Sequence, residues 1–545
     1  MTNKKQKLEL TWIGKDEELK LEPRILIEDP DKSYGDKSAE NMLIHGDNLL
    51  ALKALEQDFA GRIKCIYIDP PYNTGNAFEH YDDGIEHSTW LNLMKPRLEI
   101  LRSLLSKDGI IFISIDDEEQ AYLKVLCDEV FERKNYCGTL VWEKKRKPSF
   151  LNAQMGTITE SVLSYAKNRV FAPAFVSGKV SGDETYPLYN AGNSRGVLSF
   201  KPGSLKFLKH RDAIYKQQEF REDTSVVKLL DDLIVENGSN KNEIRLEGEW
   251  RYGQATLNEQ LNNGEYYIVK TLKFRPRRVF SGNDKEKKIH NLLDRAHFDM
   301  ATYEDSAQET IKLFGDNPFD YPKPEKLIST LISAVTKKDD WVLDSFLGSG
   351  TTSAVAHKTG RKHIGIEFGQ HAETHCLPRL KKVIDGTDGL KLSEELDWKG
   401  GGGFKFYNLA PSLLRKDSFG NFVIDENYNA NMLAAAMCKH EGFKFYPDET
   451  LYWKHGKSTE ADFIFVTTGF ITAEQLDKVH SEMKAGESLL ICAKSFAPEC
   501  ENRFANITVK KIPQMILGKC EFAKDNYDLN IIKATEAQAE ESNEA

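Results

Sequence analysis

Short apolar strands alternate with helical stretches from Met42 onward, stop near Lys167, and resume at Pro324. In the first stretch, Met42–His45 is a candidate strand and Leu49, Leu52 and Leu55 mark the helix after it. Ile63–Ile68 (IKCIYI) is an unbroken apolar run that stops at Asp69-Pro70-Pro71. Trp90–Leu105 spaces its apolar residues for a helix, Gly109–Ile115 (GIIFISI) is a third strand, and a helix continues through Phe131. After the break come a helix over Pro324–Ala334, the strand Trp341–Leu343, a helix over Thr351–Lys358 and the strand His363–Glu367. Strands that alternate with helices in this way pair in parallel, and the returning helices cover both faces of the sheet. The sequence therefore predicts a doubly wound α/β fold: one sheet in two halves, separated by an insert of roughly 150 residues, enough for a domain of its own.

These breaks set the expected domains. Residues 1–40 read as a polar arm, 41–168 as the first half of the sheet, 169–315 as the insert and 316–398 as the second half. Gly400–Gly403, after Trp398, reads as a flexible joint over 399–403. A smaller α/β domain is expected over 404–532, with strands near Phe463–Thr467 and Ser488–Cys492 around a helix at Ala473–Met483. The acidic end, 533–545, reads as disordered. No run of about 18 apolar residues is present, so no membrane span is expected. The N-terminus MTNKKQKLELTW lacks the apolar core of a secretory signal. Eight cysteines without a CxxC pair suit reduced thiols in the cytoplasm, and neither a disulfide frame nor a metal site.

The net charge of −10 speaks against nucleic acid on its face, but nucleic acid responds to local charge. Glu143–Lys147 reads EKKRK, and between Lys270 and Lys288 eight Lys and Arg face only Asp284 and Glu286. Within that span, Lys273, Arg275, Arg277 and Arg278 are the candidate phosphate contacts.

Two motifs carry chemistry. The first is Asp69-Pro70-Pro71-Tyr72, directly after a buried strand. Open parallel sheets bind ligands beyond the carboxyl ends of their strands, so this tetrapeptide sits where a substrate would lie. A carboxylate accepts a hydrogen bond from an exocyclic amine. The two prolines stiffen the loop and remove two N–H donors, leaving carbonyl oxygens as acceptors, and Tyr72 offers a flat face for stacking. The second is Asp344-Ser345-Phe346-Leu347-Gly348-Ser349-Gly350-Thr351-Thr352, after Trp341–Leu343. Glycines at a strand-to-helix turn let a ligand approach the backbone. The spacing is neither GxGxxG nor that of a P-loop, since no lysine follows. Glu367 ends the next strand, where an acid can hold both hydroxyls of a ribose.

Together these residues resemble the amino-group DNA methyltransferases. Because Asp69–Tyr72 precedes the Phe346-x-Gly348-x-Gly350 turn, the chain resembles their permuted class, with target recognition between the catalytic and cofactor halves. LIHGDNL at 43–49, DPPYNTG at 69–75, TESVLSYAKN at 159–168, YPKPEKLI at 321–328 and the WKGGGG run narrow the resemblance, over roughly 40–400, to modification subunits of type III restriction–modification systems. The resemblance implies S-adenosylmethionine as cofactor and double-stranded DNA as substrate. It also implies a homodimer, and a separate helicase–nuclease restriction subunit as partner. In the roles it implies, Asp69 and the Pro70 carbonyl hold the adenine N6 amino group, with Pro71 fixing the loop. Tyr72 stacks on the extruded base. Phe346, Gly348 and Gly350 shape the methionine side of the cofactor pocket beside Asp344, Glu367 binds the ribose, and Asp47 lies near the cofactor's adenine. Lys323 and Pro324 begin a helix facing the methionine carboxylate. DPPY points to adenine N6 rather than cytosine.

The expected chemistry is direct transfer to a flipped base, with catalysis mostly by positioning. No cysteine lies in a motif resembling a cytosine-C5 nucleophile. Other readings stay open from sequence: a solitary regulatory methyltransferase, a non-catalytic DNA- or cofactor-binding module, or an RNA or protein substrate.

Overall fold

The computed structural model describes residues 9–17, 19–72, 87–148, 155–179, 185–222, 225–271, 273–279 and 286–522. Asn73–Gly75 of DPPYNTG and the tail 533–545 lie outside the described residues. The chain divides into two compact units, one made of 1–174 with 290–545 and the other of Phe175–Ile289.

The first unit is built on a ten-stranded sheet. In spatial order its strands are Leu26–Gly35, Gly403–Leu409, Met42–His45, Lys362–Glu367, Trp341–Asp344, Ile63–Ile68, Leu105–Ile115, Thr159–Ala166, Tyr136–Glu143 and Leu292–Leu293. The six from Gly403–Leu409 to Leu105–Ile115 run parallel. They are rich in β-branched residues and buried on both faces, as a helix-covered sheet demands. Ile66, Ile68, Ile111, Ile113, Leu343, Ile364 and Ile366 meet helix residues Leu52, Leu55, Trp90, Met94 and Leu98 in one core. The two halves join where Val342 pairs with Cys65 and Leu343 with Ile66. Asp69 thus follows one strand and Asp344 ends its parallel neighbour, the two strands lying about 4.8 Å apart. Sequential strands run away from this seam on both sides, which makes it a switch point where open sheets bind ligands.

Several expected boundaries move. The N-terminal arm supplies Leu26–Gly35, an edge strand antiparallel to Gly403–Leu409. The glycine run is a packed turn and not a flexible joint. Gly401 N–H donates to the Ile384 carbonyl at 2.7 Å, and a Cβ on Gly400 would fall 2.5 Å from that same oxygen. Both residues, with Gly402, hold positive φ of 91°, 113° and 76°, which only glycine adopts cheaply. The region after 403 begins inside the main sheet, so a cut at Gly403 removes a strand paired on both sides. Beyond it, Asp462–Ile471, Ser488–Phe496 and Ile507–Lys511 pair in parallel, with the helix Ala473–Glu482 between the first two. No described helix is long and apolar enough to cross a membrane.

The second unit is shorter than the 169–315 expected. Residues 290–315 belong to the first unit: Leu292–Leu293 pairs with Val141 and Trp142, and Tyr303–Phe314 forms a helix opened by a Thr302/Asp305 capping box. A two-residue strand and a largely polar helix leave little pattern in sequence. The unit holds a seven-stranded and a four-stranded sheet around Leu198, Phe200, Val227, Tyr267 and Phe274.

Its basic residues divide by environment. Arg278 pairs with Glu265 in a largely buried ion pair. Arg277 donates to the hydroxyl and carbonyl of Thr185 at 2.8 and 2.7 Å. Arg275 lies over the Tyr189 ring, and Lys273 is exposed. Arg278 therefore holds this unit together. Arg278→Ala strands the buried Glu265 carboxylate and should cost about 2–4 kcal/mol. Thermal unfolding checks this, and an unchanged melting curve would return Arg278 to the surface residues.

Candidate active site

Ile63–Ile68 ends at Asp69, and Pro70 and Pro71 turn the chain so that Tyr72 folds back over the carboxylate. Trp90 fixes the turn by donating its indole N–H to the Pro71 carbonyl at 2.8 Å. The Tyr72 hydroxyl contacts Asp69 Oδ1 at 2.7 Å and Glu160 Oε1 at 2.6 Å. Lys323 reaches in from the segment before the helix Glu325–Val335 and donates to Asp69 Oδ1 and Oδ2 at 2.9 and 2.8 Å. The same ammonium donates to the hydroxyls of Tyr72 and Tyr303 at 2.8 and 3.0 Å and lies 3.2 Å from Glu160 Oε1. Tyr303 in turn donates to Glu160 Oε2 at 2.9 Å.

Electrostatics follow from this packing. Burial works against the charge on Lys323, but Asp69 and Glu160 together hold its ammonium charged, above the usual lysine range. Burial pushes the Asp69 carboxyl up, with Lys323 pulling the other way and Glu160 adding like charge. Burial also opposes charge on Glu160, but Lys323 and Lys144 hold that carboxyl below its ordinary value. Desolvation and nearby charge act here in opposition, so the Asp69 carboxyl lies above its ordinary value and the Lys323 ammonium beside it limits the rise. This differs from the expected place of Lys323 on the cofactor side. Pro324 does stand at the N-cap of its helix, but the lysine side chain turns to the Asp69 and Glu160 carboxylates.

The glycine turn is organised by two acids. Asp344 Oδ1 accepts from the Phe346 N–H at 2.9 Å and Oδ2 from the Thr352 hydroxyl at 2.6 Å, tying the turn to the first turn of the helix Thr351–Lys358. Burial raises the Asp344 carboxyl to about 7. Glu367, fully buried, accepts from the Gly348 and Gly369 N–H groups at 2.7 and 3.0 Å. Gly348 and Gly350 have φ of 55° and 82°. A Cβ on Gly348 would lie 3.2 Å from the Phe319 ring, and one on Gly350 3.1 Å from the Cys376 backbone. Phe346 is buried in the main core, so it anchors the turn from below. Asp47 follows the strand beside Glu367 and caps the helix Asn48–Phe59 through the Leu50 N–H at 2.9 Å. Its second oxygen has no hydrogen-bond partner and faces Arg97 at 4.0 Å.

Two side chains of this cluster, Glu160 and Tyr303, escaped the sequence reading. Glu160 carried one signal, being the one charged residue of the strand TESVLSYA. Tyr303 carried none, because it falls where an insert was expected. No group of three or more metal-binding side chains occurs among the described residues.

Chemically, the site sets a carboxylate for an amine and an aromatic hydroxyl face at one strand end. An acid-pinned glycine turn stands at the next. A family model described as DNA methylase matches residues 63–376. The chain is 34% identical, over 68% of its length and 54% of the relative's, to the probable HindVI Mod subunit of a type III restriction–modification enzyme from Haemophilus influenzae. It is 31% identical to the EcoPI Mod subunit of Escherichia phage P1, over 65% of this chain and 61% of that one. Against the StyLTI Mod subunit of Salmonella typhimurium identity is 29%, over 63% and 55% of the two chains. The chain thus spans a little over half the length of these relatives.

Proposed function

Since the chain belongs to the DNA methylase family, we propose that it transfers a methyl group from S-adenosylmethionine to adenine N6 in double-stranded DNA. We read it as the modification subunit of a type III restriction–modification system, acting in the cytoplasm. The observation that carries this is the seam: Asp69 and the glycine turn leave adjacent parallel strands, so a methyl donor on one and an amine on the other would be neighbours.

The residues present suit the cofactor. Glu367 is a carboxylate, with four acceptor directions for a ribose diol as well as for backbone donors. Gly348 and Gly350, both at positive φ, leave bare backbone at the turn, where a Cβ would press on Phe319 or Cys376. The Asp47 oxygen that faces Arg97 makes no hydrogen bond among the described residues, and we assign it as an acceptor for an adenine amine. When bound, S-adenosylmethionine supplies an electrophilic methyl group on a sulfonium. Asp69 and the Pro70 carbonyl accept from the two N6 hydrogens of the base, which localises the nitrogen lone pair and aims it. Tyr72 stacks on the base once it has left the duplex. Catalysis is then alignment of two bound reactants.

The unit Phe175–Ile289 serves as the target-recognition domain, with Lys273, Arg275 and Arg277 toward phosphates. The part beyond Leu409 serves dimerisation and docking of a helicase–nuclease subunit. Three relatives bear the name of type III Mod subunits, which favours this reading over a solitary enzyme.

Mapping modified bases in DNA from cells that express the protein tests the assignment. N6-methyladenine at one short recurrent sequence is expected. N4-methylcytosine as the sole product would keep the family and refute the adenine assignment.

A further inference from the structure

Lys323 carries more contacts than its chemistry can satisfy. An ammonium has three N–H donors, yet five acceptor atoms lie within 3.2 Å: both Asp69 oxygens, Glu160 Oε1, and the hydroxyls of Tyr72 and Tyr303. Its side chain is 5% exposed. The rings of Tyr72, Tyr303 and Trp142 wall it in at 5.0, 5.4 and 6.0 Å, with the two tyrosines presenting their hydroxyl edges. If both Asp69 contacts are given up, Glu160, Tyr72 and Tyr303 remain, one for each N–H. The ammonium can leave Asp69 without losing a hydrogen bond or its counter-charge.

Resting on the function proposed above, we propose that Lys323 is a positioning residue that stands in for the target amino group. Without a base, its N–H groups occupy the Asp69 oxygens that the base's N6–H must reach, keeping the carboxylate ionised and oriented. When the base arrives, the ammonium passes to Glu160 and Tyr303. Glu160 is the receiving carboxylate. Its place on the antiparallel strand Thr159–Ala166, beyond Leu105–Ile115, sets it on the far side of Lys323 from the glycine turn. No proton changes hands in the exchange; one ammonium trades acceptors.

The titratable groups around this exchange are Tyr67 on the Asp69 strand, Tyr72, Glu160 and Tyr303, with Lys144 3.6 Å from Glu160. Asp116, raised to about 6 by burial, and Asp344 stand at the margin. Removing the ammonium leaves two buried acids, of which Glu160 keeps Lys144 at 3.6 Å, so both carboxyls rise and Asp69 the more. Loss of an opposite charge at this distance shifts a carboxyl by about 1–3 units.

The test is steady-state methylation of unmethylated genomic DNA across pH by the full-length protein, with cofactor affinity measured separately. In Lys323→Met the acidic limb of kcat/KM, which reports the enzyme before the base arrives, should move up by about one pH unit or more, while KM for DNA falls because nothing competes for Asp69. In Glu160→Gln the ammonium stays on Asp69 and the like charge beside it is gone, so KM for DNA should rise several-fold while the limb moves down. In the double variant the limb should return toward wild type. Cofactor affinity should be unchanged in all three. A Lys323→Met enzyme with wild-type limb and KM overturns the proposal, as does a double variant no closer to wild type than Lys323→Met. If Lys323→Met fails to fold, Glu160→Gln decides, and an unaltered KM for DNA in it is contrary. A wild-type protein without adenine methylation fails the functional reading instead, which separates the two failures.

Discussion

Asp69→Ala should lower methyl transfer by about 10²–10⁴, the range for losing one oriented polar contact at a reacting centre, while S-adenosylmethionine still binds. At about 1.4 kcal/mol per decade that is roughly 3–5 kcal/mol of transition-state stabilisation. The separation of effects follows from the sheet. Asp69 ends Ile63–Ile68, whereas Gly348 and Glu367 follow Trp341–Asp344 and end Lys362–Glu367. Among the described residues, Asp69 hydrogen-bonds to Tyr72 and Lys323 and not to the glycine turn. Removing the carboxylate also leaves the Lys323 ammonium with Glu160 as its counter-ion, so the pocket keeps a paired charge and the fold should hold. Turnover near wild type would refute the mechanism, and loss of cofactor affinity would mean that the two strand ends are not separate sites.

Gly348→Val should weaken S-adenosylmethionine binding at least about a hundredfold, or about 2.7 kcal/mol. Two costs add. Gly348 sits at φ 55°, where an L-residue costs about 1–2 kcal/mol and a β-branched one more. Its Cβ would stand 3.2 Å from the Phe319 ring, and the two further methyls add bulk at that contact. The distortion also pulls the Gly348 N–H from Glu367, which then faces the ligand with its orientation lost. Equilibrium dialysis with labelled cofactor measures this, with circular dichroism as the check on folding. Gly348→Ala should fall between wild type and valine. Unchanged affinity in both would make the turn structural only.

What the sequence disclosed and what it hid have distinct physical causes. Asp69-Pro70-Pro71-Tyr72 and the Phe346–Gly350 turn were legible because each closes a buried strand, and strand ends in a parallel sheet share one edge. Their adjacency was hidden, since it depends on Leu343 pairing with Ile66 across the insert. Lys323 was legible as a position and misread as a contact. A helix-start lysine shows nothing in sequence of the acids that will draw it, and here one lies on Thr159–Ala166 and the other after Ile63–Ile68. The glycine run looked like a linker because glycine serves both flexible chains and tight contacts. Only the Ile384 carbonyl beside Gly400 tells them apart. Likewise the basic run around Arg278 looked like a DNA surface, while Glu265, near in space, claims that residue for the core.

The central claim is that the Asp69 strand end and the glycine turn form one site that methylates adenine N6 in DNA. The most direct measurement is to incubate the purified full-length protein with methyl-labelled S-adenosylmethionine and unmethylated DNA, digest to nucleosides and separate the products. The account predicts label in N6-methyldeoxyadenosine, reduced to near background by Asp69→Ala. Label in N4-methyldeoxycytidine alone, or undiminished label with Asp69→Ala, would contradict it.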